Sequence, residues 1–160
     1  MSATDRRDDR RQAAWFLLNY AVELASYRNR KAEFLARPAD ENAGRRGKIS
    51  RPTEAAALAS IAYDVKNPVY YWLCAVEQTE KELPAAKREF LSFRREAQRR
   101  GARSAGRGRR AWIAFMQGRL GRWLSEAAIK RRWYEIVDLT IDRHLRLRLR
   151  AAEKRLIDGA

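Results

Sequence analysis

The sequence predicts an all-α protein, and three observations carry that prediction. Apolar residues recur at spacings of three and four through most of the chain, the period of a helix with one buried face. Helix-start signals stand at Ser50-Arg-Pro52 and Asn67-Pro68, where a capping side chain precedes a proline whose missing N–H costs nothing in a first turn. The single passage that alternates with period two, His144 to Arg150, has no second such segment to pair with. At 160 residues and 46% apolar content, the chain is long enough for one core. It divides into a helical N-terminal region (1–98, with a loop at 37–51), an Arg/Gly-rich arm (99–110), and a C-terminal module (111–160).

From Gln12 to about Ala36 there is no Gly or Pro, and two apolar stripes overlap: Trp15, Leu18, Val22, Ala25 and Leu17, Tyr20, Leu24, Tyr27. A helix apolar over so much of its circumference calls for other helices or a second subunit around it. Arg37 to Arg51 carries two glycines, a proline and many charges, and reads as a loop. An Ala-rich helix from Thr53 to Lys66 is stopped by Asn67-Pro68, which opens the next helix toward Leu83. Pro84 restarts the pattern, and Ala85 to Gln98 puts Ala86, Phe90 and Phe93 on one face.

In the last third, Trp112, Ile113, Phe115, Met116 and Leu120 form a helix and Gly121 a turn; a second helix starts at Ser125 and meets no breaker before Asp158. The segment from Gly118 to Leu124 is long for a compact turn, so either the first helix runs through Gly118 or the turn carries an insertion. Trp123 and Leu124 are read as core, and Leu145, Leu147 and Leu149 as helical, because Ile141, Leu145, Leu149, Ala152 and Leu156 share a stripe. His144 is expected on the helix surface or at a cap, and Cys74, the single cysteine, as a buried structural thiol that excludes an internal disulfide.

The formal net charge of +15, mostly arginine, points to a polyanionic partner, with nucleic acid favoured over acidic protein or lipid. A basic arm, a helix, a turn and a capped basic helix follow the order of a DNA-reading helix-turn-helix. Ile129, Trp133, Ile136 and Thr140 recur at helical spacing and face inward, which leaves Glu126, Ala127, Lys130, Arg131 and Tyr134 as candidate groove contacts. In the arm, Arg99, Arg100, Arg103, Arg107, Arg109 and Arg110 are candidate phosphate contacts, and the arginine run begins at Arg94 and Arg95. With no phosphate loop, paired-acid site or metal-ligand cluster, the chain is expected to be neither an enzyme nor the holder of a cofactor or metal. No stretch approaches the roughly 20 apolar residues of a membrane span, so a cytoplasmic protein with no membrane partner is expected.

Leu24-Ala-Ser-Tyr27, Ser50-Arg-Pro-Thr-Glu54, Tyr71-Trp-Leu-Cys74, Lys87-Arg-Glu-Phe-Leu91 and Ser125 to Trp133 stand in an order that resembles phage late transcription regulators of the RinA/ArpU type. The resemblance implies a regulator of phage late genes that binds double-stranded DNA through a sigma-like helix-turn-helix, with Lys130 and Arg131 toward the DNA. The Arg/Gly tract and the long turn depart from that pattern. Two other readings stand beside it: a DNA-packaging protein such as a small terminase subunit, which would form ring oligomers, and a module that binds RNA polymerase through its arginine-rich face.

Overall fold

A computed structural model describes residues 3–36, 52–101 and 111–158. These form six helices and no strand: α1 (Ala3–Ala36), α2 (Pro52–Lys66), α3 (Pro68–Glu82), α4 (Ala85–Gly101), α5 (Ala111–Leu120) and α6 (Glu126–Asp158). The protein is all-α with a long last helix. The loop read at 37–51, with the Ser50 cap, lies outside the described residues.

Local sequence sets the helix boundaries. Asn67 caps α3 by accepting the Val69 N–H at 3.1 Å, with Pro68 in the first turn. Leu83 leaves the helical region (φ −64°, ψ 134°) ahead of Pro84, the backbone that a residue before proline favours. α5 runs through Gly118 to Leu120, so the first helix is extended and the turn is Gly121 to Ser125. Gly121 has φ +119°, where a side chain would be strained.

Of the two stripes on α1, the one through Leu17 and Tyr27 is buried, whereas Trp15 and Val22 are 55% and 69% exposed. Between them the backbone departs from helical geometry at Asn19 (φ −110°, ψ 17°), whose side-chain amide donates to the Trp15 carbonyl at 3.0 Å. One buried cluster draws on α1, α3, α4, α5 and α6. Its centre is a column of rings, Phe16 on Trp72 (5.7 Å, 7°) and Trp72 on His144 (3.7 Å, 6°), that crosses from α1 through α3 to α6. Among its described side chains α2 contributes none that is buried. It is fastened near its C-terminal end by Asp64, which accepts from the Tyr27 hydroxyl and from Lys31 Nζ at 2.6 Å, while Tyr63 packs on Tyr27 and Phe34.

Four expectations from the sequence are corrected. His144 is neither on the surface nor at a cap: it is 6% exposed against Trp72, and burial together with Arg148 pushes its pKa down to about 4. The segment around Leu145 is helical, but the inward stripe ends there, since Leu149 and Leu156 are 62% and 77% exposed. Leu124 is buried as expected, whereas Trp123 stands 79% exposed. Cys74 is half-buried and beside Tyr70, and burial pushes its thiol pKa up, which keeps it protonated.

His144 also ties stability to pH. Its folded pKa lies below the unfolded value of about 6.5, so the unfolded chain binds the proton more readily. Stability is therefore full above about pH 6.5 and falls as pH drops toward about 4, by on the order of 2–3 kcal/mol. Urea unfolding across this range should show that loss, and His144→Phe, which keeps a ring in the column but cannot titrate, should flatten it; an equal slope in the variant would sink the assignment.

Candidate nucleic-acid interface

The turn before α6 is fixed by backbone groups before any charge is considered. Gly121 N–H donates to Gln117 O at 3.0 Å, Leu124 N–H to Gly121 O at 3.1 Å, and the Gln117 side chain reaches over to Leu124 O at 2.9 Å. Ser125 then caps α6: its hydroxyl accepts the Ala128 N–H at 3.2 Å and its carbonyl accepts that of Ile129 at 3.1 Å. From that cap, Ile129, Trp133, Ile136 and Thr140 all point into the core, as their spacing predicts. Thr140 resolves its buried hydroxyl by donating to Ile136 O at 2.9 Å.

Beneath this helix lies a buried cation. The Arg94 guanidinium is 8% exposed, 4.3 Å from the centre of the Trp112 ring and 5.1 Å from that of Trp133, and so joins α4, α5 and α6. Its Nε and Nη1 find no hydrogen-bond partner among the described residues, and burial lowers its pKa to about 10. It remains charged at neutral pH, held by the faces of two rings.

The candidate contacts divide into exposed and engaged side chains. Ala127, Lys130, Arg131 and Tyr134 are exposed and Glu126 is half-buried. Lys130 pairs with Glu126 at 2.5 Å, so that part of the face carries little net charge. Tyr134 is covered on one side by Arg10, whose guanidinium lies 5.3 Å from the ring and also grips Asp138 with two bonds of 2.8 Å. Val137 and Ile141 are buried as well, which widens the inward sector toward Tyr134. Arg131 and Ala127 therefore lie opposite the core stripe of α6, whereas Lys130, Tyr134 and above all Glu126 sit toward its flank. Arg131 is exposed and unpaired among the described residues. Arg122 in the turn and Arg132 on α6 are exposed too, and neither stands among the residues that the sequence singles out. Arg132 is adjacent to Trp133 in the chain, which makes it read as the edge of the stripe.

The arm changes more. Arg99 and Arg100 belong to the last turn of α4, not to an irregular segment. Arg100 pairs with Glu96 at 2.6 Å and lies 5.2 Å from the Phe115 ring centre, while Arg99 is exposed. Arg94 is the buried cation, and Arg95 is engaged by Glu80 and by Leu17 O at 2.7 Å, so neither is available to a phosphate. Arg103, Arg107, Arg109 and Arg110 lie outside the described residues.

Trp133→Ala should cost about 3–5 kcal/mol, read as a lower urea midpoint, because it empties a core position and strips one ring from Arg94. An unmoved midpoint would mean that α6 is rotated about its axis and that its outward residues are different ones.

No helix among the described residues is long and apolar enough to cross a membrane. Compared with protein-family models, curated proteins and solved structures, the chain matches none.

Proposed function

We propose that this chain binds double-stranded DNA in a sequence-specific way and regulates transcription, with the first turns of α6 laid in the major groove. The observation that carries the reading is the Ser125-capped helix, with one face locked into the core and Ala127, Lys130 and Arg131 exposed on its first two turns. Arg131 is the residue best suited to bridge the two acceptors of a guanine edge, and Ala127 fits a thymine methyl. Because Tyr134 is half-covered by Arg10, base contacts centre on 127, 130 and 131. Arg122 and Arg132, with Arg99 and the arginines from 103 to 110, suit the flanking phosphates. The RinA/ArpU-like order of motifs supports the narrower reading, a regulator of phage late genes.

Selection of binding sites from a random duplex pool at about physiological salt tests this directly, since a +15 chain binds any DNA at low salt. A recovered motif supports sequence-specific regulation, and its absence leaves only an architectural or protein-binding role. On the recovered site, Arg131→Ala should cost about 1–3 kcal/mol and relax the preference at one base pair. Equal losses on specific and random DNA would reduce Arg131 to a phosphate contact. Replacing Arg99, Arg103, Arg107, Arg109 and Arg110 by Gln should flatten the plot of log affinity against log salt by about 0.9 for each phosphate that is no longer neutralised. An unchanged slope would assign the tract another purpose.

A further inference from the structure

Trp123 is the most exposed of the large apolar side chains described, 79% accessible at the tip of the α5–α6 turn. One face of it nonetheless lies against the turn. Its pyrrole ring sits so close over Gly121 that a Cβ on that glycine would stand 2.4 Å from the indole Nε1, so the left-handed glycine serves both the turn and the seat of the indole. Its Nε1–H finds no acceptor among the described residues, and its chain neighbour Arg122 is exposed. The other aromatic side chains at this scale are engaged. Trp15 donates its Nε1–H to Glu23 at 3.0 Å and so stands beside an acid that repels phosphate, Tyr134 carries Arg10 over its ring, and Trp72, Trp112 and Trp133 belong to the packed interior.

A flat, solvent-facing indole whose chain neighbour is an exposed arginine is suited to a nucleobase with a free face and a phosphate next to it. In closed B-form duplex the base faces are stacked on one another and offer no such surface. From this we infer that the α5–α6 turn is a binding site for an unpaired DNA base, which stacks on Trp123 while Arg122 holds the adjoining phosphate. The chain then prefers duplex containing unpaired bases over the same duplex fully paired. The inference rests on the reading of α6 as a DNA-facing helix and adds a ligand that this reading does not require: an opened strand at the edge of the bound site.

The test uses the full chain and three DNAs: a closed duplex, the same duplex with a short central run of unpaired thymines, and the thymine strand alone. Binding at about physiological salt should favour the opened duplex over the closed one by at least about fivefold, the lower end of one stacked base. Trp123→Ala should bring the ratio of the two affinities toward one, Trp123→Phe should retain part of it, and Gly121→Ala, which unseats the indole, should lower it as well. Taking the ratio cancels any general loss of affinity, and an unchanged thermal midpoint in Trp123→Ala confirms folding, as its exposure predicts. Iodide quenching supplies a second reading: the opened duplex, and not the closed one, should shield a tryptophan signal that Trp123→Phe lacks. Equal affinity of the native chain for opened and closed duplex overturns the inference and leaves duplex reading by α6 intact, and so does a preference that persists in Trp123→Ala. Binding to the thymine strand and the opened duplex with none to closed duplex overturns the proposed function instead and keeps the stacking site. Binding to none of the three overturns both.

Discussion

The column formed by Phe16, Trp72 and His144 is the constraint from which the arrangement of α1, α3 and α6 follows. Three nearly parallel rings in contact leave little freedom in how far the three helices stand apart or how they turn about their axes. Burial holds the imidazole neutral, so the column is made of three uncharged faces at neutral pH. With α6 fixed at His144, the phase of everything N-terminal to it on the same helix is fixed too. Thr140, Ile136, Trp133 and Ile129 must point inward, and Arg131 outward.

At the other end of α6, Arg94 does with a cation what the column does with neutral rings. A buried guanidinium lacking hydrogen bonds at two of its nitrogens is costly unless the charge is met otherwise, and the faces of Trp112 and Trp133 meet it. The basic character of the chain is thus not all outward. Arg10 on Asp138, Arg95 on Glu80, Arg119 on Glu96 and Arg143 on Glu82 are each engaged within the fold, and Arg155 donates to Val65 O at 2.7 Å. Net charge therefore overstates the surface open to a polyanion. The residues that matter are those left over, among them Arg122, Arg131 and Arg132.

What was legible in the sequence is what local chemistry decides. The Asn67-Pro68 boundary, the Ser125 cap and the inward set from Ile129 to Thr140 depend on neighbours within a turn or two, and each can be read directly. The all-α class follows from the same signals. What escapes depends on partners far away in the chain. Nothing near Trp15 says that Leu17 and Tyr27 would win the core, because that choice is made by α3. His144 stands in a run of Arg and Leu that reads as surface until Trp72 is brought to it, and the Leu149–Leu156 stripe reads as core although no helix among the described residues covers it. Arg99 and Arg100 look like the start of a flexible tract because glycine follows, yet α4 carries them to its end at Gly101. Trp123 reads as core for a related reason: tryptophan is usually interior, and only the geometry at Gly121 shows how a turn can hold one in solvent.

α2 is joined to the rest of the protein on different terms. Among its described side chains it buries none and leaves Leu58 and Ile61 more than half exposed, and it is held near one end by Asp64, by Tyr63 and by the Val65 carbonyl, which accepts from Tyr71 and Arg155. A helix attached by a polar clasp gives up little apolar burial when it detaches, so it can open without the ring column being disturbed. Amide hydrogens along α2 should then exchange with solvent through local opening, ahead of those of α3 and the first half of α6. Two tiers of stability within one fold are the expected consequence, with α2 the first helix to become accessible to a protease.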